Sequence, residues 1–383
     1  MLTAALIAGL VCVAAWLYLL LAHGSFWRVS RALPPRSKPI TAPGMVAVII
    51  PARNEADVIG RAITSLLRQS WSRLHIFVVD DNSSDGTAEA ARAAAASQPQ
   101  RVTVISGRSL PRGWTGKLWA LRQGVEQALP LNPDHLLFTD ADIEHAPDDV
   151  ATLVGIAEAQ SYDIASLIVR LQCRRLAEKL LVPAFVFFFF MLYPPEWICD
   201  PSRSSAGAAG GCLLVRPAAL ERMGGVAAIR QEIIDDCALA RAVKRSGGKV
   251  WLGAATDTYS MRPYSFGEIE RMIARNAFSQ LGHSAGLLLA TVSGMVLLYV
   301  LPLGLLLSGS ARLAIVGAVS YLLMIAGHLP MVRHYRVNPM WALSLPLAAV
   351  IHTAATVHSA VRYWSGHGGE WKGRMQDVAA WEE

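Results

Sequence analysis

The chain has 383 residues, of which 53% are hydrophobic and 17% charged, with a mean hydropathy of +0.35. That is too apolar for an ordinary soluble enzyme and puts the excess into discrete membrane segments, while the length allows two average domains or one large domain with appendages. The net charge of +6 comes from Lys and Arg that form no stripe interleaved with aromatics, which sets nucleic acid aside and suits a basic protein beside an anionic leaflet.

Residues 2–22 are an apolar run without a charge, long enough to span a bilayer. The run lacks the basic n-region of a signal peptide, and its apolar core is too long for one. Arg28, Arg31, Arg36 and Lys38 follow, so the positive-inside tendency predicts a cytoplasmic location for the next domain. Pro34, Pro35, Pro39 and Pro43 make this stretch a stiff linker. The five cysteines (Cys12, Cys173, Cys199, Cys212 and Cys237) are odd in number and contain no Cys-x-x-Cys pair, which argues against a zinc site or a disulfide framework and suits a reducing compartment.

From residue 45 the pattern becomes α/β. Residues 45–50 are a continuous apolar run, as in a parallel strand buried on both faces. The turn Pro51-Ala52-Arg53-Asn54-Glu55 follows, and 59–69 carries helical periodicity through Ile63, Leu66 and Leu67. Residues 75–79 predict a second strand, ending at Asp80-Asp81-Asn82-Ser83-Ser84-Asp85-Gly86-Thr87. An alanine-rich helix over 88–96, a strand over 102–106, a helix over 114–128 and a strand over 136–139 come next. Alternating strands and helices give right-handed crossovers and a mostly parallel sheet, and such sheets bind ligands beyond the carboxyl ends of their strands. The turns at 51–55, 80–87 and 140–142 all fall at that edge.

The last of these turns is Thr139-Asp140-Ala141-Asp142. If the strand continues, Asp140 and Asp142 share a face, and two carboxylates that close repel unless a cation neutralises them. A hard divalent ion, Mg²⁺ or Mn²⁺, suits oxygen ligands and is commonly shared with substrate phosphates.

Val-Ile-Ile-Pro-Ala-Arg-Asn-Glu (48–55), Val-Val-Asp-Asp-Asn-Ser-Ser-Asp-Gly-Thr (78–87) and Thr-Asp-Ala-Asp (139–142), in that order, resemble a family 2 glycosyltransferase. Gly116-Lys117-Leu118-Trp119-Ala120-Leu121-Arg122-Gln123-Gly124 is similar to that family's Gly-Lys-x-x-Ala-Leu-Asn-x-Gly helix, with Arg122 in place of Asn. The resemblance implies a GT-A fold (Rossmann-like, with a mostly parallel sheet) and inverting transfer from a nucleotide-sugar donor. It further implies nucleotide-sugar binding by Pro51, Arg53, Glu55, Asp80, Asp81, Lys117 and Asp140, with the metal on Asp140 and Asp142.

Beyond residue 142 a helix (150–159) and a strand (163–171) are expected. The apolar stretch 180–193, with Phe187 to Phe190, is short for a span and reads as an interfacial or re-entrant element or as a buried core helix. The small-residue loop 206–211 permits close backbone approach to a ligand. Residues 218–225 resemble the family's helix ending in Gly-Gly. Gln231-Glu232-Ile233-Ile234-Asp235-Asp236-Cys237-Ala238-Leu239-Ala240-Arg241 opens a helix with acids, where the helix dipole favours them. The family resemblance makes an acidic pair before Leu-Ala-x-Arg the source of the catalytic base, at Asp236, with Asp235 where Glu is usual.

Residues 271–279 stand where processive family members carry Gln-x-x-Arg-Trp. Arg275 is expected at the diphosphate, and the absence of the Trp argues against polymer synthesis; a membrane-surface basic face formed with Arg271 is the other reading. Residues 287–307 and 313–332 are further spans, with Arg333 and Arg336 marking a cytoplasmic loop; 340–361 is a weaker candidate, interrupted by Pro346, His352 and His358. If it spans, the basic Trp371-Lys372-Gly373-Arg374 tail falls outside. The two histidines read as helix-face polar residues rather than metal ligands.

The sequence thus divides into an N-terminal transmembrane helix (1–23), a basic linker (24–44), a glycosyltransferase domain (45–282) with an interfacial element at 180–194, a C-terminal transmembrane region of two or three spans (283–363) and a basic tail (364–383). The expected protein is a multi-pass enzyme of the bacterial cytoplasmic membrane with a divalent metal, a nucleotide-sugar donor (UDP-sugar) and a lipid acceptor. Pro111-Arg112-Gly113-Trp114-Thr115-Gly116-Lys117, the Phe-rich stretch and the Ile-Asp-Asp-Cys-Ala-Leu-Ala helix resemble the hopanoid-biosynthesis-associated glycosyltransferases, which implies a hopanoid-type triterpenoid acceptor. The same residues also admit transfer to a polyprenyl phosphate or carotenoid, or a non-catalytic membrane protein that binds sugar nucleotides.

Overall fold

The structure is a computed structural model that describes residues 2–33 and 44–366 and the backbone of 370–371 and 374–375. The prolines and the basic pair Arg36 and Lys38 of the linker, and most of the tail, lie outside the described residues. In chain order the elements begin with α1 (Leu2–Leu21), β1 (Val46–Ala52), α2 (Ala56–Leu67), β2 (Leu74–Asp80), α3 (Thr87–Ala95), β3 (Val102–Ser106) and α4 (Gly116–Ala128). There follow β4 (His135–Thr139), β5 (Ile143–Glu144), α5 (Asp149–Gln160), β6 (Ile164–Arg170), α6 (Leu176–Leu192), α7 (Pro195–Cys199), β7 (Cys212–Val215), α8 (Pro217–Arg222), α9 (Asp235–Arg245) and β8 (Val250–Ser260). The chain continues through α10 (Phe266–Gln280), α11 (Ala285–Met295), α12 (Leu301–Leu306), α13 (Ala311–His334) and α14 (Leu345–Trp364).

Two compact units result, one made of Met1–Arg31, Gln172–Glu196 and Tyr264–Gly369, the other of Ala32–Leu171, Trp197–Pro263 and the residues after 369. Residues 172–196 and 264–282, assigned from sequence to the catalytic domain, fall in the first, helical unit.

The second unit is built on an eight-stranded sheet of order β3-β2-β1-β4-β7-β6-β8-β5. Strands β1, β2, β3 and β4 are parallel, β6 pairs parallel with β8, and β7 and β5 run antiparallel to their neighbours. All seven residues of β1 are buried, as expected for a strand covered on both faces. Helix α2 covers one face with Ile59, Ile63, Leu66 and Leu67, the i, i+4, i+7, i+8 stripe of an amphipathic helix. On α4 the close approach is a glycine's: a Cβ on Gly124 would lie 2.4 Å from the Ile49 side chain. The expected helices and strands of this region are present to within a few residues. Strands β7 and β8 were not expected, and β7 wedges antiparallel between β4 and β6.

Five helices, Leu2–Leu21, Leu176–Cys199, Ala285–Leu306, Ala311–His334 and Pro339–Trp364, are long and apolar enough to cross a membrane. They include both stretches that the sequence left open. Helix α6 packs on α10, α13 and α14. The buried Glu178 caps its start, accepting from the backbone N–H groups of Arg174, Arg175 and Tyr264, each at 2.8 Å. Between α11 and α12 the turn widens into a π segment, Val296–Val300. The indole of the buried Trp16 on α1 donates to the Leu298 carbonyl there at 3.1 Å, and its ring meets Tyr299 edge-on at 5.5 Å. His352 bonds the Ala348 carbonyl of its own helix at 2.8 Å, and His358 lies 2.6 Å from Glu270 of α10.

Candidate active site

The parallel register of β1 with β2 and β4 puts three turns at one sheet edge. At the first two, Arg53 donates to the carbonyls of Asp81 (2.6 Å) and Asn82 (3.2 Å). The two turns interlock: Asn54 N–H donates to Ser83 Oγ (2.9 Å), Ser84 N–H donates to Asn54 Oδ1 (3.0 Å), and Glu55 N–H donates to Thr87 Oγ1 (2.8 Å). Asn54 and Asn82 both take φ near 52°, the left-handed region that Asn tolerates best after Gly. Burial raises the Asp85 carboxyl, but hydrogen bonds from Thr87 and Ala56 outweigh it and hold the pKa low. Asp80 accepts from Ser83 N–H at 3.2 Å, and Asp81 is almost fully buried. The two turns thus form one interlocked, hydrogen-bonded scaffold rather than a flexible loop.

The third turn differs from its expected geometry. Strand β4 stops at Thr139, and Asp140-Ala141-Asp142 is a turn, with Ile143 N–H bonded to the Asp140 carbonyl at 3.3 Å. The two carboxylates therefore do not share a strand face and bond different partners. Asp142 accepts from Ser260 Oγ at 2.6 Å and lies 3.6 Å from Arg262 Nε. Arg262 in turn grips both oxygens of Glu55, at 2.8 and 2.6 Å, tying the acidic turn to the interlocked turns at 51–55 and 80–87. Asp140 instead pairs with Lys117 at 3.1 Å.

Lys117 is the hub. Its ammonium also reaches Asp235 at 3.2 Å. Burial lowers its pKa, yet the charges of Asp140, Asp235 and Asp236 more than reverse this, so it stays protonated. Burial raises the Asp140 pKa despite that cation. Asp236 accepts from Gly210 N–H at 2.8 Å and from Cys237 N–H at 2.7 Å. Its pKa is pushed up to about 6, first by burial and then by the Asp235 charge. A glycine at 210 keeps room for the cluster: a Cβ there would sit 3.0 Å from the flexible end of Lys117, at Nζ, and 3.4 Å from Asp236 Oδ2. The cluster itself, with Lys117, Asp140, Asp235 and Asp236, lines a cavity of about 20 Å³, room for roughly one water, closed by Phe138 and Leu239.

Of the residues expected at the site, Pro51, Arg53, Glu55, Asp80, Asp81, Lys117, Asp140, Asp142, Asp235 and Asp236 all lie in the sheet unit. Arg275 lies on α10 of the helical unit, its Nε donating to Asn276 Oδ1 at 3.1 Å. Sequence reasoning missed Arg262, Ser260 and the Gly210 N–H.

The donor set fits a divalent cation. Among the described residues no cluster of three or more His, Cys, Asp or Glu could cage one. Mg²⁺ and Mn²⁺ in phosphate sites need only one or two carboxylates, the rest coming from water and phosphate. Asp140 and Asp142 each keep one oxygen outside the contacts above. Among the described residues, the ion pairs set Lys117 and Arg262 against Glu55, Asp140, Asp142 and Asp235, with Asp236 beside Lys117, a concentration of negative charge that a nucleoside diphosphate would worsen without an added cation.

A mixed sheet with nucleoside-type turns and an acidic turn at its carboxyl edge is the GT-A architecture. The chain superimposes on a mannosyltransferase from Pyrobaculum calidifontis, solved in complex with GDP-Man and Mn²⁺, with a TM-score of 0.57 over 94% of this chain and 98% of that one, at 19% identity. Residues 47–224 match the family Glycosyl transferase family 2. It is 32% identical over 120 residues to an uncharacterized protein of Methanocaldococcus jannaschii, covering 31% of this chain and 44% of that protein. It is 37% identical over 99 residues to the 4,4'-diaponeurosporenoate glycosyltransferase of Staphylococcus haemolyticus, covering 26% of this chain and 24% of that enzyme. The matches thus span less than half the length of these relatives.

Proposed function

We propose that this chain is a membrane-bound inverting glycosyltransferase that moves a sugar from a nucleotide-sugar donor to a lipid hydroxyl. The observation that carries this reading is Asp236: a half-buried carboxyl whose pKa desolvation pushes up to about 6, held by Gly210 N–H beside the Lys117 hub, in the same unit as the interlocked turns at 51–55 and 80–87. A general base works best when its pKa lies near the working pH.

Arg53 and the 80–87 turn hold the base and ribose, with Asp80 and Asp81 on their polar edges. Asp140 and Asp142 would hold Mg²⁺ or Mn²⁺, which supplies charge neutralisation at the diphosphate when bound. Asp236 takes the acceptor hydroxyl proton as that oxygen bonds to the anomeric carbon, and the carbon–oxygen bond to the β-phosphate breaks with its electron pair leaving on the nucleoside diphosphate. One displacement with one base inverts the anomeric centre. Asp235 is the second candidate for the base, but its pairing with Lys117 occupies it. Arg275 is retained as a diphosphate contact.

The five candidate spans and the basic Arg28 and Arg31 after the first support a multi-pass protein of the bacterial cytoplasmic membrane with the catalytic domain inside. A hopanoid-type triterpenoid acceptor rests on the resemblance of residues 111–117, the Phe-rich stretch and α9. The staphylococcal relatives' name favours a second reading, a carotenoid acid acceptor. Membranes containing the protein, given labelled UDP-sugars or GDP-mannose with and without Mn²⁺, discriminate these readings once lipid classes are separated. Label in triterpenoids is expected; label only in carotenoids or polyprenyl phosphate changes the acceptor, and no nucleotide release from any donor sinks the enzyme reading.

A further inference from the structure

A second polar chain lies buried under the acidic turn. Thr139, the last residue of β4 and 2% exposed, places its hydroxyl 2.8 Å from the Gly211 carbonyl and 2.9 Å from His145 Nε2. His145 Nδ1 lies 3.2 Å from Asp149 Oδ2, in the first turn of α5. Thr258 of β8 donates to the same carboxylate oxygen, and the Ala146 N–H reaches it at 3.2 Å. His145 N–H is itself fixed on Ser65 Oγ at 3.1 Å.

The protons can be counted. Thr139 has one, given either to the Gly211 carbonyl or to Nε2. In the first case Nε2–H donates to Thr139; in the second Nε2 accepts. In the second case the neutral ring carries its proton on Nδ1, aimed at Asp149, whereas in the first only the doubly protonated ring does so; either way the ring lies bonded between the carboxylate and the hydroxyl.

Such a Thr-His-Asp chain is a costly way to fill a sheet core, where an apolar residue of similar size would serve the fold at least as well. Its output emerges at two places. Thr139 immediately precedes Asp140. Gly211 immediately follows Gly210, whose N–H holds Asp236. The other side of that loop is also pinned, since Ser166 Oγ donates to the Ala209 carbonyl at 3.0 Å and accepts from its N–H at 2.9 Å.

We infer that Thr139, His145 and Asp149 are positioning residues: one hydrogen-bonded relay that couples the 140–142 turn to the 209–211 loop, so that the groups meeting the donor and the base meeting the acceptor are set together. In its catalytic consequence this rests on the glycosyltransferase reading; in its mechanical content it does not.

The test uses the full-length protein in detergent, as wild type, Thr139→Val, Thr139→Ser and Asp149→Asn. Amide hydrogen exchange is followed in peptides covering 139–144 and 206–212. In the valine variant both segments exchange about tenfold faster, and in the serine variant both return to wild-type rates. Acceleration of the first segment alone, or of neither, overturns the relay. Where the wild type releases nucleoside diphosphate, kcat falls about 10–100-fold in the valine variant with donor KM within about threefold, and serine restores it, the usual scale for partners that orient site groups. Folded Asp149→Asn protein with wild-type exchange in 206–212 overturns the coupling even if the valine variant cannot be purified. Absence of nucleotide release from the wild type refutes the functional reading and leaves the exchange result to decide the relay.

Discussion

Replacing Asp236 with asparagine removes the charge that burial opposes while keeping the side chain's shape. In the fold its carboxyl titrates near 6, against an ordinary value of 3.8. An acid with a raised folded pKa contributes stability while protonated, and that contribution is lost as pH rises through the folded value, here between about pH 4 and 6. At pH 8 the ionised carboxylate therefore costs the fold about 3 kcal/mol, from a shift of roughly two pK units at 1.36 kcal/mol each. Asparagine never ionises, but its amide must face one of the two N–H donors, Gly210 or Cys237, which takes back about 1 kcal/mol. Asp236→Asn is thus expected to be more stable than wild type by about 1–2 kcal/mol at pH 8 and no more stable at pH 4, while turnover falls about 10²–10⁴-fold, the range for losing a general base. Thermal unfolding of detergent-solubilised protein at pH 4, 6 and 8, beside nucleotide release, reads both. A variant no more stable than wild type at pH 8, or one whose gain is the same at every pH, refutes the placement of a raised carboxyl here.

Wild-type turnover is expected to decline below about pH 6 as Asp236 protonates, in a pH profile of kcat. Lys117→Met leaves Asp140 and Asp235 without their shared cation and lowers stability by on the order of 2 kcal/mol after allowance for their partial exposure, visible as a lower unfolding midpoint. Gly210→Ala places a methyl 3.0 Å from Lys117 Nζ, whose flexible end can give way; kcat should drop about tenfold with the midpoint nearly unchanged. Trp16→Phe removes the hydrogen bond to the Leu298 carbonyl in the π segment and should cost about 1 kcal/mol in thermal unfolding.

Much of the site could be read from sequence because topology does the placing. Once strands alternate with helices, the acid-bearing turns at 51–55, 80–87 and 140–142 must reach one edge, whatever their side chains do there. What escaped was whatever depends on single residues brought from far along the chain. Arg262 joins Glu55 to Asp142 across 207 positions to Glu55, with no spacing to announce it. The Thr139-His145-Asp149 chain looks like ordinary turn polarity until the fold closes over it. Strand β7 is only Cys-Leu-Leu-Val, four residues after a glycine loop, too short for periodicity to distinguish from a helix fragment. The shared strand face expected for Asp140 and Asp142 failed because β4 ends one residue earlier, and a turn follows no period of two.

The segments of the helical unit bear on how the chain is made. Every strand of the large sheet lies before residue 261, so a ribosome that has reached Pro263 has already delivered the whole of that sheet. The first helix, by contrast, must wait for a partner 282 positions downstream, the separation between Trp16 and the Leu298 carbonyl. Domains tend to fold as units in the order they emerge. The sheet unit is therefore expected to mature first, with the Trp16 indole unsatisfied until the π segment at Val296–Val300 has been made.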